Sequence, residues 1–294
     1  MAQPVMPQSR TDDVAPDASV APAPKKRSST SKKKGTPRGS LTGWRLFGAR
    51  LAVLLAWLVI WQLTVSSGRM PPVLNVSPTD VATFIQTTLA NGELITATIA
   101  TMYATLIAFV LASFVGVVIG IGLGLMPRAE KVLTPYLDAL NAMPRIALAP
   151  VFIIAFGITT SAKVALAFTL VVFILMSNSR AGIRSADPDV LRLSTVLGAS
   201  KLQLFFKVML PVAVPSIFAG LRLGLIYALL GVTTAEIIGS KVGLGQLIMK
   251  YSGMYQLEGV FGILLVLAVL AAVINTLMAM LENWILRYQP PQDH

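Results

Sequence analysis

From about residue 46 the chain alternates long apolar runs with short charged stretches, and the run lengths predict membrane-spanning helices. The first run, about Leu46 to Val65, has no polar residue between Leu51 and Trp61. About twenty residues at 1.5 Å each cross a hydrocarbon layer roughly 30 Å thick. Ser66 to Asn91 is a mixed stretch, expected outside the membrane, where Ser77 or Thr79 is placed to cap a short interfacial helix. A second run, Thr96 to Met126, exceeds what a bilayer requires and is expected to tilt or project beyond it. Its end, Gly116-Val-Val-Ile-Gly120-Ile-Gly122-Leu-Gly124, stacks small residues four apart, which lets a neighbouring helix approach closely in lipid. Val132 to Ile158 is apolar but broken by Pro135, Pro144 and Pro150, and it carries Asp138, Asn141 and Arg145. Such a segment is expected to face protein or an aqueous path rather than lipid. A short fourth span, Ala162 to Met176, starts with Lys163, placed to snorkel at its outer end. A fifth covers about Val212 to Ile238 and a sixth about Val260 to Leu281, so the expected fold class is an all-α integral membrane protein with six transmembrane helices.

Between the fourth and fifth runs, Ser185 to Pro215 carries Asp187, Asp189, Arg192, Lys201 and Lys207, and therefore leaves the hydrocarbon. At helical spacing it reads as two short helices around a Gly198-Ala199-Ser200 joint. Asp187 ahead of Leu191, and Ser200 ahead of Leu202, are residue types that cap the free N–H groups of a helix start. Gly198, without a Cβ, is expected to let the two helices meet closely, and Leu210-Pro211 to fix where the fifth span begins.

Composition agrees with a membrane protein: 55% of the 294 residues are hydrophobic and 13% charged, a balance outside that of soluble domains. Residues 1 to about 43 are rich in Ala, Pro, Ser and Lys and are expected to form a disordered basic cytoplasmic tail. Its Lys25-Lys26-Arg27 and Lys32-Lys33-Lys34 runs suit either adhesion to anionic lipid headgroups or a purely topogenic role. The tail is too long for a signal peptide, and the apolar run after it has no small-residue cleavage site. Net charge is +11, but the first fifty residues hold ten Lys/Arg against three Asp, so the basicity is mostly a property of the tail. No aromatic or motif support for nucleic-acid binding accompanies it. Six spans put both termini on one side, where eighteen Lys/Arg face four on the other (Arg69, Lys163, Lys241 and Lys250). The bias predicts that N- and C-terminus are cytoplasmic and puts the Gly198 loop there too.

The chemistry available is narrow. There is no cysteine, and the single histidine is His294, so thiolate or His-rich metal sites and histidine-based catalysis are not expected. No G-x-x-x-x-G-K-[ST] loop occurs, and the Gly120-to-Gly124 pattern lies in an apolar run with no preceding strand. A chain of this kind binds no cofactor of its own. If ATP drives it, a separate protein must hydrolyse the ATP, and force must pass through a rigid cytoplasmic projection.

The Ser185–Pro215 stretch resembles the cytoplasmic "EAA" loop of permease subunits in binding-protein-dependent ABC importers. In that family a Gly is followed ten residues later by Ile-x-Leu-Pro; here Gly198 is followed by Val208, Leu210 and Pro211 at that spacing. The E-A-A triplet is replaced by Arg192-Leu193-Ser194. The chain from Leu46 onward is most similar to the nitrate, sulfonate and taurine branch. The phrases that match are Pro72 to Val81, Asn141-Ala-Met-Pro144-Arg145 to Pro150, Phe156-Gly157-Ile158, Gly220-Leu-Arg222, and Ala235-Glu236-Ile-Ile-Gly239 followed by Gly243-Leu-Gly245. Asn75 stands where that branch usually has Pro.

The resemblance implies a type I ABC importer transmembrane domain with a coupling-helix loop between spans four and five, in a bacterial inner membrane. It implies a homodimer of the chain, an ABC ATPase subunit that uses ATP and Mg, and an extracytoplasmic solute-binding protein that delivers a small solute such as nitrate, a sulfonate, taurine or a related organic acid. The coupling loop would involve Arg192, Ser194, Gly198, Ala199, Ser200, Val208, Leu210 and Pro211. The implied partition is 1–43 tail, 44–92 first helix and extracytoplasmic segment, 93–285 type-1 core, and 286–294 a cytoplasmic C-terminal tail.

Asn141, Arg145, Arg222 and Glu236 are candidates for the translocation path. Two plainer roles stand beside that one: Arg222 snorkels or pairs within the bundle, and Glu236 caps the outer end of its helix. Arg145 either lines the path or is neutralised by Asp138 or Glu236. The rival class is an ion-coupled secondary carrier or channel, which needs carboxylates buried at mid-membrane and no ATPase. A membrane enzyme is disfavoured by the missing His, Cys and carboxylate pairs.

Overall fold

A computed structural model describes residues 43–67 and 76–285, except for the side chains of residues 43–47 and 50. The proposed basic tail, Arg69, the Pro72–Asn75 part of the matching phrase and the C-terminal tail lie outside the described residues. The chain divides into two compact units, Met1–Leu51 and Ala52–His294, and the helix bundle belongs to the second.

Helix α1 (Gly43–Ser66) contains the first apolar run. Helix α2 (Pro78–Ala90) starts where its sequence predicts. Ser77 is the N-cap, Pro78 occupies the first helical position, and Ser77 and Asp80 exchange hydrogen bonds in a capping box. Helix α3 (Glu93–Leu125) runs 33 residues, well beyond a bilayer's need. The proline-broken third segment becomes α4 (Pro127–Ala142), a 3-10 turn (Arg145–Leu148) and α5 (Ala149–Phe156), with a 77° bend between the two halves. Pro144 disfavours helical geometry in Met143 and supplies no N–H, so the ladder breaks there.

The centre of the unit is α3 packed on α6 (Thr160–Arg184) and α6 on α9 (Leu210–Ile238). On α3, Ala104, Ala108, Ala112, Gly116 and Gly120 recur every four residues and are buried against α6. A Cβ on Gly116 would strike the carbonyl oxygen of Val172, and one on Gly120 that of Met176, so the expected close approach is present. Gly122, off this stripe, faces open space.

Among the described residues, four helices are long and apolar enough to cross a membrane: α3, α6, Lys201–Ile238 and α11 (Leu257–Ile285). The bent pair makes a fifth if counted as one span, and Leu51–Ser66 is a shorter apolar helix.

Three expectations need correction. The fourth span is not short: α6 continues eight residues past Met176 to Arg184. Its polar end is tolerated because Asn178 donates to the Ile174 carbonyl and Arg180 and Arg184 both reach Glu130 of α4. The fifth span does not begin at Pro211. Helix α8 (Lys201–Leu204) passes through a π turn (Phe205–Met209) directly into α9, with Leu210 N–H bonding the Phe205 carbonyl. The wide turn lies just ahead of Pro211, where a missing N–H and a bulky ring would disturb a regular α ladder. Finally, an unanticipated helix, α10 (Leu244–Gly253), lies between α9 and α11, where Leu244, Leu247 and Tyr251 pack with Leu94, Ala97 and Ile263.

Candidate functional site

Helix α7 (Pro188–Val196) and α8 form the projecting elbow. The Asp187 carboxylate accepts from Asp189 N–H at 2.8 Å, and Pro188 takes the first helical position. Helix α7 ends in a Schellman motif: Ala199 N–H bonds the Ser194 carbonyl at 3.0 Å, and Gly198 N–H that of Thr195 at 3.0 Å. This requires Gly198 at φ +85°, in the left-handed region. The predicted close helix contact is absent, because a Cβ on Gly198 would meet nothing within 4 Å. Glycine is needed here for its backbone freedom. Helix α8 then opens on a reciprocal cap in which Gln203 N–H donates to Ser200 Oγ and Ser200 N–H to Gln203 Oε1.

The elbow carries apolar side chains into the open: Val196 is 85% exposed, Leu197 78% and Leu202 69%. Arg192 is exposed and approaches Asp189 at 3.5 Å, while the Ser194 hydroxyl donates to the Val190 carbonyl. Ala199 is half-buried at the joint. Val208 lies in the π turn, and Leu210 packs on the Ile183, Ala213 and Ile217 cluster just before Pro211.

At the opposite end of the bundle, Glu236 is 1% exposed, and its carboxylate meets the first turn of α10 rather than the outer end of its own helix. Its carboxylate accepts from Lys163 Nζ at 3.0 Å, from Thr101 Oγ1 at 2.8 Å and from Gly245 N–H at 3.0 Å. Lys163, expected to snorkel, is 6% exposed and also donates to the Val242 carbonyl at 2.6 Å. Thr101 Oγ1 in turn accepts from Leu244 N–H at 2.9 Å. This network joins α3, α6 and α9 to the start of α10. A Cβ on Gly243 would overlap the Glu236 carboxylate, and one on Gly245 the Thr233 carbonyl, so both glycines of Gly243-Leu-Gly245 make room for it. Lys163 and Thr101 were not among the predicted site residues. The available signal was one lysine and one glutamate, each within an apolar run with no local partner. Nearby, Glu93 accepts from Tyr251 Oη at 2.8 Å and from Lys250 Nζ, tying α10 to the head of α3. The Glu93 carboxylate holds the Lys250 ammonium above its ordinary value of 10.5.

Arg222 is paired within the bundle, by Glu282 of α11. Arg145 and Asn141 come together: the guanidinium donates to Asn141 Oδ1 and sits 4.2 Å from the centre of the Phe173 ring. Neither Asp138 nor Glu236 neutralises it. Both residues line a cavity of about 390 Å³ with Ser177, Asn178 and Tyr227. Of the four path candidates, the cavity therefore unites two and excludes Arg222 and Glu236.

Comparison with known proteins bears on the whole chain. The family described as binding-protein-dependent transport system inner membrane component matches residues 112–287. A Bacillus subtilis protein named as an aliphatic sulfonates transport permease, SsuC, is 30% identical over 90% of this chain and 95% of its own length. The riboflavin transport system permease protein RibX of Chloroflexus aurantiacus is 31% identical over 84% of this chain and 91% of its own. The bicarbonate transport system permease protein CmpB of Synechococcus elongatus is 30% identical, covering 87% and 97%. In fold, the chain is similar to the inward-facing MetNI methionine ABC transporter, with a TM-score of 0.59 at 17% identity over 66% of this chain and 96% of that one.

Proposed function

Since this chain belongs to the binding-protein-dependent transport system inner membrane component family, and is thereby the permease subunit of an ABC importer, we propose that it works as a homodimer driven by a separate ABC ATPase that uses ATP and Mg. A solute-binding protein delivers a small solute, an anion in our reading, to the side opposite the α7–α8 elbow. The relatives are named for sulfonates, riboflavin and bicarbonate, so kinship alone does not choose the solute.

The observation that carries the coupling role is the elbow itself. Its two short helices are capped on both sides of Gly198, its apolar tip is uncovered, and α8 is the first turn of a continuous 38-residue helical segment, Lys201–Ile238. A push at the tip is therefore transmitted to the bundle rather than absorbed by a loose loop. The basic residues of the same end, among them Arg128, Lys131, Arg184, Lys201 and Lys207, favour a cytoplasmic elbow in a bacterial inner membrane. A secondary carrier would need a free mid-membrane carboxylate, yet the buried Glu236 is matched by Lys163.

The test is co-purification of the full chain with its ATPase, followed by ATP-dependent uptake in proteoliposomes. Leu197→Asp puts a charge on the exposed tip without touching the bundle and should release the ATPase. Retained ATPase and unchanged uptake in that variant would remove the coupling role from the elbow.

A further inference from the structure

Helix α7 buries none of its residues. Yet Leu193, Val196 and Leu197 recur three and four apart, the spacing of a stripe that packs on a core, and all three are exposed. Such a stripe belongs to a partner, and the coupling role of the elbow makes that partner the ATPase. Arg192 stands one turn before Val196 on the same face, so a surface that covers Val196 covers the guanidinium too. In the free chain Arg192 approaches Asp189 at 3.5 Å, but with the two side chains 81% and 87% exposed the pair holds little in water. Docking changes that balance. A cation moved out of water against a surface without an anion is costly, whereas one that meets a fitted carboxylate adds to binding. The charge at this place is also reversed: the E-A-A triplet opens with a Glu, and Arg192 occupies that position.

We propose that Arg192 selects the ATPase partner: the ATPase that fits this chain offers an apolar groove to Leu193, Val196 and Leu197, and a carboxylate at the rim of that groove to Arg192. The planar guanidinium suits such a rim, because its fork donates to both oxygens of one carboxylate. The neighbouring charge agrees in sign. Lys201 follows the joint directly before the exposed Leu202, and among the described residues it forms no ion pair. The acids Asp187 and Asp189 stand at the start of α7, the end away from Val196 and Leu197, and the Asp187 carboxylate is taken up by the Asp189 N–H. A groove shaped for the Glu of an E-A-A permease has no use for that rim carboxylate. It would leave Arg192 unpaired or facing like charge, so the residue that admits one ATPase turns others away. The proposal rests on the elbow being the ATPase dock, and adds which ATPase fits it.

The test measures binding of the purified ATPase of the same transport system to the full chain in lipid nanodiscs, by biolayer interferometry. Arg192→Glu should weaken it at least about ten-fold. Arg192→Gln should weaken it less and flatten its salt dependence between about 50 and about 500 mM KCl, since one screened pair is gone. In a set of ATPase variants that each turn one surface Asp or Glu into Lys, one should restore binding to Arg192→Glu and lose it to the wild-type chain. An ATPase from an importer whose permease keeps the Glu should bind Arg192→Glu more tightly than wild type. Arg192 is exposed, so no substitution there disturbs the bundle, and Leu197→Asp serves as the control for the dock. The proposal is overturned if Arg192→Glu binds its own ATPase as tightly as wild type, if no ATPase substitution reverses its loss, or if the foreign ATPase prefers the wild-type chain. Where Leu197→Asp releases the ATPase and Arg192→Glu does not, only the selection by Arg192 falls. Where neither releases it, the elbow is not the dock and both readings fall.

Discussion

Removing one member of the Lys163–Glu236 pair should destabilise the protein far more than removing both. Both side chains are buried, at 6% and 1% exposure, so truncating either leaves a charge in a low-dielectric interior. Breaking such a pair typically costs about 3–5 kcal/mol. Lys163→Met leaves the Glu236 carboxylate with Thr101 and the Gly245 N–H but no cation. Glu236→Gln leaves the Lys163 ammonium buried with the Val242 carbonyl but with no anion beside it. In the double variant, the amide oxygen that replaces the carboxylate still accepts from Thr101 and Gly245, no net charge is buried, and methionine fills the lysine's volume. Replacing a buried ion pair by neutral groups of similar shape is often close to neutral, so the double variant should lose no more than about 1–2 kcal/mol. The coupling energy between the two sites should then be at least about 4 kcal/mol, above the roughly 0.5–3 kcal/mol usual for contacting residues. The assay is SDS-induced unfolding of purified protein followed by circular dichroism, with all four proteins compared in one double-mutant cycle. Single variants that each cost under about 1 kcal/mol, or losses that simply add in the double variant, would refute the argument that this pair pins α10 to the bundle.

The geometry sets three further outcomes. Gly198→Ala should cost about 1–2 kcal/mol locally, because φ +85° is unfavourable for an L-residue; ATPase retention should fall while bundle unfolding stays near wild type, and a variant that holds the ATPase normally would show the Schellman end to be dispensable. Gly120→Leu should separate α3 from α6, since even a Cβ there strikes the Met176 carbonyl; the check is a large loss of monodisperse protein compared with Gly122→Leu, whose position faces open space. The Ser77 hydroxyl, then its N–H, holds the Asp80 carboxyl below its ordinary 3.8. Its contribution to α2 is thus present above about that pH and lost as pH falls through the lower folded value, so α2 amides should lose hydrogen-exchange protection on acidification in wild type, with a smaller step in Ser77→Ala, which keeps only the N–H contact.

Much of this protein was legible because the governing rules are local. Run length fixed the long helices, Pro144 fixed the break in the third segment, and Ser77, Asp187 and Ser200 marked helix starts, since a cap acts within three residues of itself. The four-residue spacing of glycines at the end of α3 likewise announced a close helix contact, because a helix returns to nearly the same face at that interval, while the alanines that extend the stripe toward Ala104 emerged only from the packing. Charge pairing is different in kind. Lys163 and Glu236 are 73 residues apart, and Arg222 and Glu282 are 60 apart. Which charges meet depends on the depth and rotation of each helix against its neighbours, and these are set by the sum of many packing contacts rather than by any one segment. For that reason the sequence offered Asn141, Arg145, Arg222 and Glu236 as path candidates without naming a partner for Arg222 or Glu236, and only the tertiary structure matched those two with opposite charges and set Arg145 beside Asn141 at an open cleft. Gly198 shows the same limit on a smaller scale: its presence at the joint was readable, but whether it served close packing or a left-handed backbone depended on what stands next to it in space.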